Sequence, residues 1–294
     1  MQHEHPARLR VGVIGPGRAG TALARALARA GHEVVAASAV SEASVGRVRR
    51  AFPAARIAEP AGVLDLADLA LLTVPDDALP GLVSGLAATG APYAGRLLVH
   101  ASGRYGVAVL DPAARLGALP LALHPVMTFT GRDDDADRLK GVSFGVTAPG
   151  PLRTVAEALV IEMGGDPVFV TEENRELYHA ALASAANHLV TLVAEAADLL
   201  RKAGVDNPAR MLGPLLSSAL DNALRFGDAG LTGPVARGDS GTVAGHVAAL
   251  GTASPGARAA YLALARLTAD RALAAGLLTP ADAERLLDVL GETA

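Results

Sequence analysis

The chain of 294 residues contains no cysteine, which excludes disulfide bonds, thiolate nucleophiles and cysteine metal sites together. This absence fits a reducing compartment. The N-terminal segment MQHEHPARLR has no apolar core of the kind that a signal peptide needs, so we expect a cytoplasmic protein. We expect no metal site, because the eight histidines, outside the pair His3 and His5, show neither H-x-x-x-H nor H-E-x-x-H spacing.

Charge of one sign is not concentrated in the chain either. The sequence has 26 basic and 30 acidic side chains, and its one block of like charge is Asp133 to Asp135. Nucleic acid and an anionic membrane are therefore poor partners. The apolar stretch near residue 190 is interrupted by four polar residues, Asn187, His188, Glu195 and Asp198. We expect a soluble protein that acts on a small molecule.

The most informative stretch is Leu9 to Ala30, LRVGVIGPGRAGTALARALARA. A short apolar run predicts a buried strand, and glycines at 15, 17 and 20 follow it as G-x-G-x-x-G before an alanine-rich helix. In a dinucleotide site the first glycine permits the tight turn, the second lets the backbone approach the pyrophosphate, and the third packs the helix against the strand. The stretch therefore predicts dinucleotide binding. The cofactor contacts expected in the turn are Gly15, Pro16, Gly17, Arg18, Ala19 and Gly20.

The second predicted strand, Glu33 to Ser38, bears on the choice between NAD and NADP. An NAD-selective fold carries an acidic residue at the far end of this strand, where Ser38 stands here. Ser38 and Ser41, with the arginines at 47, 49 and 50, could receive a 2′-phosphate, so we expect NADP, with NAD as the alternative. A solvated helix face is the alternative reading of these arginines.

Further strands are predicted at Arg56 to Ala58, Leu69 to Val74, Leu97 to His100, Leu119 to Leu123, Val142 to Thr147 and Pro167 to Val170. Strands alternating with helices predict a parallel, doubly wound sheet, with ligands beyond the carboxyl ends of its strands. The turn after the fourth strand should thus place Val74, Pro75 and Asp76 against the cofactor. An N-cap role for Asp76 or Asp77 is equally compatible.

From residue 171 the sequence predicts only helices. The longest runs from Glu172 to Gly204, and others lie near 208 to 226, 239 to 250, 256 to 274 and 280 to 290. We therefore predict an α/β chain with an N-terminal Rossmann domain over residues 1–170. An all-α domain over residues 171–294 follows, for substrate binding and dimerisation.

Two strand ends carry candidate catalytic residues. His124 follows the sixth strand and precedes a proline, and its ordinary pKa near 6.5 suits proton exchange at neutral pH. Ser102, with His100 as a weaker candidate, follows the fifth strand. Thr128, in the turn after His124, is expected to contact substrate.

The long helix carries a polar stripe at steps of three or four residues. We interpret Asn187 as the residue that orients a substrate oxygen, with His188 and Thr191 beside the substrate; a stripe that simply faces water is the alternative. In the loop TGPVARGDSGT, Arg237 could clamp a carboxylate, because arginine binds carboxylates in a bidentate manner. Asp239 is more simply read as the N-cap of the next helix.

Six motifs occur in order: VGVIGPGRAGTALARAL, TVPDDAL, VHASG, LALHPVMTFTG, ANHLVTL and GPVARGD. Together they closely resemble Rossmann-like oxidoreductases that carry a helical C-terminal domain of unknown function. That family is similar to the 6-phosphogluconate dehydrogenase-like superfamily, with β-hydroxyacid dehydrogenases, ketopantoate reductase, pyrroline-carboxylate reductase and prephenate dehydrogenase. The resemblance implies NAD(P)-linked hydride transfer in a cleft between domains, and a homodimer through the helical half.

One departure from the relatives matters. The resemblance to β-hydroxyacid dehydrogenases and ketopantoate reductases implies a lysine and an asparagine one helical turn apart. Asn187 matches the asparagine, but Ala183 stands at the lysine position. Prephenate dehydrogenases carry a catalytic histidine in a His-Pro motif, which His124 and Pro125 resemble.

We therefore expect an NADP-dependent oxidoreductase acting on a small oxo or hydroxy carboxylate, with His124, Asn187 and Ser102 as catalytic residues. A ketopantoate reductase proper and a non-catalytic NADP-binding sensor or assembly protein are the alternatives, because fold does not fix function.

Overall fold

The computed structural model describes residues 8–291 of the chain. The chain divides into two compact units, of which the first ends at Ser184 and the second begins at Ala185. This division lies inside the long helix, further along the chain than 170, and the predicted domain boundary after residue 170 stays a prediction. His3 and His5 lie outside the described residues.

The first unit alternates strands and helices. Its strands are β1 Arg10–Ile14, β2 Glu33–Ser38, β3 Arg56–Ile57, β4 Leu69–Leu72, β5 Leu97–His100, β6 Leu119–Pro125, β7 Ser143–Thr147 and β8 Asp166–Phe169. Its helices are α1 Arg18–Arg29, α2 Glu42–Ala51, α3 Pro60–Leu66, α4 Leu79–Ala88, α5 Asp111–Ala114 and α6 Arg153–Glu162. Short 3₁₀ turns lie at Asp76–Ala78, Val107–Leu110, Asp133–Leu139, Gly150–Leu152 and Glu172–Asn174.

The eight strands form one sheet in the order β3-β2-β1-β4-β5-β6-β7-β8, and the first six strands are parallel. This is the doubly wound order, so the carboxyl ends of β1, β2, β4, β5 and β6 meet along one edge. The Rossmann prediction is confirmed. The glycine turn, the end of β4 and the residue His124 therefore belong to the same edge of the sheet.

The last two strands differ from the prediction. β7 pairs antiparallel with β6, and β8 pairs parallel with β7, so both run opposite to the other six. The connection from β6 to β7 holds only a 3₁₀ turn, Asp133–Leu139, rather than the crossover helix that a parallel neighbour requires. As a result β6 is an interior strand, and His124 lies opposite Gly145 of β7.

Helices cover both faces of the sheet and enclose two apolar cores. Leu23, Leu27 and Val160 belong to the core beneath α1, α2 and α6, and Val63 and Val83 belong to the core beneath α3, α4 and α5. β4 is buried along its whole length, as expected for a strand with helices on both faces.

One buried carboxylate fixes the connection that follows β6. Asp135 is 1% exposed and accepts hydrogen bonds from Thr130 and from the backbone N–H of Gly131, at 2.7 to 3.3 Å. It also pairs with Arg138 at 3.1 Å. The loop from Thr130 to the 3₁₀ turn is thereby held in one conformation.

The second unit is helical. It contains most of α7, which runs from Arg175 to Lys202 across the division between the units, followed by α8 Pro208–Phe226, α9 Ser240–Ala253, α10 Pro255–Ala274 and α11 Pro280–Gly291. Its core lies between α9, α10 and α11, where Val243, Ala272, Leu286 and Leu290 are buried. The helical nature of this half is as predicted.

Within residues 8–291 one helical segment, Glu172–Lys202, is long and apolar enough to cross a membrane by length and composition. A single such segment is weak support for a membrane span. This one carries Glu195, Asp198 and Arg201, whose charges are costly inside a bilayer. A cytoplasmic location stays a prediction.

Candidate active site

The glycine turn has the geometry that the motif predicts. Gly15 adopts a φ of +83°, a conformation that favours glycine, and its N–H donates to the carbonyl of Ser38 at 3.2 Å. Thr73 donates its hydroxyl to the carbonyl of Gly15 at 2.7 Å. A Cβ on Gly20 would lie 2.1 Å from that hydroxyl oxygen. Gly15 and Gly20 are therefore required by the fold itself.

Gly17 is different, because no fold contact requires it. A Cβ built there would meet nothing nearer than the carbonyl oxygen of Gly15, at 3.9 Å. Gly17 is the N-cap of α1, which has no side-chain cap hydrogen bond and no acidic residue in its first turn. The first N–H groups of a helix have no partners within it and attract anions. The turn thus fits a dinucleotide pyrophosphate.

The neighbouring strand ends place the other predicted cofactor residues. Val74 packs against Gly15, whose Cβ would lie 2.8 Å from Cγ1 of Val74. Pro75 is exposed, and Asp76 lies in the 3₁₀ turn that precedes α4. Neither that turn nor α4 has a side-chain cap hydrogen bond, so the N-cap reading of Asp76 or Asp77 is wrong.

At the end of β2 the two serines have separate roles. Ser38 is buried as the last residue of the strand. Ser41 is exposed and is the N-cap of α2, where its hydroxyl accepts from the N–H of Ser44 at 3.2 Å. Arg47 of α2 donates from Nε to the carbonyl of Pro16 at 3.0 Å, which ties α2 to the glycine turn.

Arginines surround a small polar cavity beside this turn. The cavity measures about 50 Å³ and is lined by Arg18, Thr21, Ala22, Arg25, Arg47, Arg50, Gly131, Arg132 and Asp133. Five arginines and one aspartate line it, and the aspartate, Asp133, pairs with Arg25 at 2.7 Å. The excess of positive charge suits the cavity to an anionic group. Arg49, which lies next to Arg50 on α2, is exposed and does not line the cavity.

At the carboxyl ends of β5 and β6, His100 and Ser102 form hydrogen bonds that hold the backbone after β5. His100 is 0% exposed, and its Nε2 lies 2.8 Å from the carbonyl of Gly106. Its Nδ1 accepts from the N–H of Ser102 at 3.2 Å, and the hydroxyl of Ser102 accepts from the N–H of Tyr105 at 3.2 Å. Both side chains thereby hold the loop that follows β5.

A buried guanidinium joins this loop to β6 and β7. Arg175, the first residue of α7, is 1% exposed and donates to the hydroxyl of Thr147 at 2.7 Å. Its terminal nitrogens donate to the carbonyls of Ser102, Ala122 and Gly145, at 3.0 to 3.5 Å. Burial lowers the pKa of Arg175, whereas the charges of Tyr178 and Glu172 raise it. The sequence analysis missed this residue, since an arginine at the start of a helix gives no sign of burial.

His124 meets the first turn of α7. Its Nδ1 lies 2.8 Å from the hydroxyl of Tyr178, and the two rings are nearly perpendicular with centroids 5.7 Å apart. The ring of His179 is 6.0 Å away, also edge-on. Two glycines make room, because a Cβ on Gly145 would lie 2.2 Å from the Tyr178 oxygen and one on Gly103 2.9 Å from Nε2 of His124.

The surroundings of His124 change the pKa that the sequence led us to expect for its imidazole. Burial, and then the positive charge of Arg175, lower the pKa of His124 from 6.5 to about 4, with further lowering by His179 and His100. Burial likewise lowers the pKa of His100 to about 4. An imidazolium is therefore not the form present at neutral pH, and the ordinary pKa near 6.5 does not apply to His124.

Tyr178 and His179 were also missed. The polar stripe drew attention to the middle of the long helix, whereas both residues lie in its first turn. The dipeptide Tyr178-His179, three and four residues after Arg175, was the available signal. Thr128, the predicted substrate contact after β6, is exposed.

The remaining predicted residues belong to the helical unit. Asn187, His188 and Thr191 are exposed on α7, and the hydroxyl of Thr191 donates to the carbonyl of Asn187 at 3.4 Å. Arg237 is exposed in its loop. Asp239 is the N-cap of α9, as predicted, and accepts from the N–H of Thr242 at 3.0 Å.

The same unit holds an apolar cavity of about 560 Å³ that the sequence did not indicate. It lies between α7, α9, α10 and the loop at residues 232–235. His246 and Tyr261, in its wall, form a second histidine–tyrosine pair, with Nδ1 3.0 Å from the hydroxyl and rings at 86°.

Fold and turn geometry define the class: a Rossmann-type nucleotide-binding unit followed by a helical unit. Family comparison agrees, and the chain combines a Rossmann-like domain, matched over residues 2–125, with a domain of unknown function, DUF2520, matched over residues 142–268. No curated protein matches the sequence.

Solved structures share the fold. A protein from Bacteroides fragilis, provisionally assigned as an NADP oxidoreductase, is 24% identical with a TM-score of 0.74, over 90% of this chain and 98% of that chain. An imine reductase from Pseudomonas sp. is 22% identical with a TM-score of 0.63, over 97% and 100%. Plasmodium falciparum pyrroline carboxylate reductase, solved with NADP bound, is 12% identical with a TM-score of 0.58, over 91% and 98%.

The lowered histidine pKa values predict a pH dependence of stability. Between pH 6.5 and pH 4 the unfolded chain binds protons that folded His100 and His124 do not. Their contribution is full above pH 6.5 and is lost as the pH falls to 4, at up to about 1.4 kcal/mol per pH unit for each histidine. Urea unfolding from pH 7.5 to pH 4.5 measures this slope. His124→Gln should remove about half of it, and an unchanged slope in that variant would contradict the assignment.

Proposed function

We propose that the protein is an NADP-dependent oxidoreductase that transfers a hydride to or from a small oxo or hydroxy carboxylate. The observation that carries the proposal is the glycine turn, where Gly15 and Gly20 are required by the fold and Gly17 leaves open space at the start of α1. The fold comparisons support an NAD(P)-dependent oxidoreductase. Substrate class and roles of individual residues are our inference.

The cofactor would be held by residues 15–20 and by the turn at Val74, Pro75 and Asp76. When bound, NADPH supplies a hydride. His124 lies at the carboxyl end of β6, on the same sheet edge as the glycine turn, and is the group placed to exchange a proton with the substrate oxygen or nitrogen. Ser102 holds the adjoining loop.

Asn187, with His188 and Thr191, would orient the substrate, and Arg237 would bind its carboxylate. These four residues belong to the helical unit, and their proposed roles come from the sequence. Solved structures with this fold include an imine reductase and a pyrroline carboxylate reductase. Cyclic imines are therefore candidate substrates in addition to oxo acids.

The activity is tested by fluorescence of NADPH, which the absence of tryptophan makes easy to follow. We expect saturable NADPH binding and consumption with at least one member of a panel of 2-oxo acids and cyclic imines. His124→Gln should lower turnover by about 10²-fold or more while leaving the dissociation constant for NADPH within about twofold, since proton transfer by a positioned side chain contributes 10² to 10⁴. Binding without consumption of any compound would favour a sensor, and absence of binding would refute the proposal.

We propose NADP rather than NAD because the end of β2 carries Ser38 instead of a carboxylate and the arginine cavity lies beside the turn. Arg50→Ala should weaken NADPH binding about tenfold and leave NADH binding unchanged, because it removes a cation from the cavity wall. Arg49→Ala is the matched control, a neighbouring arginine outside the cavity. Equal losses for the two cofactors, or equal effects of the two variants, would contradict this assignment.

We also infer a homodimer through the helical unit. Six large apolar side chains of the helical unit, on its part of α7 and on α8, are more than half exposed: Val190, Met211, Leu215, Leu220, Leu224 and Phe226. On α8 they occupy opposite sides of the helix, and a helix that is apolar on both sides is normally buried. We infer that a second copy of the chain covers these side chains, because a twofold interface buries the same surface on both copies.

Light scattering should therefore give a mass about twice the 29.6 kDa of one chain. Leu224→Glu should shift the population toward single chains, because it places a charge on the proposed apolar contact. A single-chain mass for the unaltered protein at tens of micromolar would contradict the dimer.

A further inference from the structure

The pair formed by His124 and Tyr178 has a definite geometry. His124 comes from β6 and Tyr178 from the first turn of α7, and the phenol oxygen lies 2.8 Å from Nδ1. Nε2, the other ring nitrogen, is within 2.9 Å of the position that a Cβ on Gly103 would take. Gly103 and Gly145 pack against the pair, and a side chain at either position would clash with His124 or Tyr178.

We propose that Tyr178 is the proton reserve of His124: its hydroxyl donates to Nδ1, fixes the imidazole as the Nε2–H tautomer, and replaces the proton that Nε2 gives to the substrate. This inference rests on the proposed function. Nothing in the sequence or the comparisons assigns a role to Tyr178, which lies five residues before Ala183.

The proton balance is as follows. When a hydride adds to the carbon of a carbonyl or imine, the oxygen or nitrogen keeps the electron pair of the double bond and takes the proton from Nε2. The O–H bond of Tyr178 breaks as its proton moves to Nδ1, so the imidazole stays neutral and a tyrosinate forms. A proton from water then returns to Nε2, and the Nδ1 proton returns to Tyr178. One proton is taken from solvent for each turnover.

The electrostatics favour this relay over a free imidazolium. Burial and Arg175 hold the pKa of His124 near 4, so the imidazole cannot store an extra proton at neutral pH. Burial raises the pKa of Tyr178, whereas the positive charge of Arg175 lowers it. The guanidinium carbon of Arg175 lies 5.6 Å from the centre of the Tyr178 ring, where it would stabilise a transient tyrosinate. Arg175 is thus a positioning residue.

The tautomer is measured directly by ¹⁵N NMR of histidine-labelled protein, with the His124 signals identified by their loss in His124→Gln. At pH 7 we expect a protonated Nε2 and an unprotonated Nδ1 for His124. Tyr178→Phe should give a mixture of the two tautomers, because Nδ1 loses its donor. Tyr261→Phe, which breaks the similar pair with His246, is the matched control and should leave the His124 signals unchanged.

Kinetics supply the second readout. With any compound that the enzyme reduces, Tyr178→Phe should lower kcat by about 10- to 100-fold, with KM and the dissociation constant for NADPH within about twofold. A protonated Nδ1 in the unaltered protein, or Tyr178→Phe with full kcat, overturns the relay even if NADPH is bound and consumed. If NADPH is not bound at all, the proposed function fails instead. The NMR result decides the hydrogen-bond direction without any substrate.

Discussion

The buried guanidinium of Arg175 is the interaction on which the candidate site depends. Removing a cation from water is costly, and the charge of Glu172 offsets only part of that cost, because the pKa of Arg175 is still lowered by burial. Three backbone carbonyls and one hydroxyl supply the compensating dipoles, and they come from the loop after β5 and from β6 and β7. The start of α7 is thereby fixed against the sheet, and residues three and four positions later, Tyr178 and His179, are placed beside His124.

The charge of Arg175 also influences the chemistry available at the carboxyl ends of β5 and β6. Ala183 stands at the position where the sequence resemblance implied a lysine, so no ammonium group is available there. Burial is the main cause that keeps His100 and His124 neutral, and the positive charge of Arg175 lowers the pKa of both further. A neutral imidazole acts best as a hydrogen-bonding link between a donor and the substrate. In the proposed relay, the group that touches the substrate, His124, is distinct from the group that stores the proton, Tyr178.

The sequence predicted all eight strands, the glycine turn and the helical second half, because each rests on local periodicity and turn chemistry. It did not predict that β7 and β8 run backwards, since an apolar strand looks the same in either direction. His124 and Ser102 could be chosen from their places at strand ends. Arg175 and Tyr178 could not, because their burial comes from tertiary packing, and the pKa of His124 follows from that burial.

The two ends of the sheet bear on how the protein behaves at high concentration. At one edge β3 has only two residues, and at the other β8 has four, including Pro167, which lacks an N–H. The guanidinium carbon of Arg153, from α6, lies 3.7 Å from the centre of the Phe169 ring at the end of β8. Few unpaired backbone groups are left to recruit a strand from another molecule, so edge-to-edge aggregation is disfavoured.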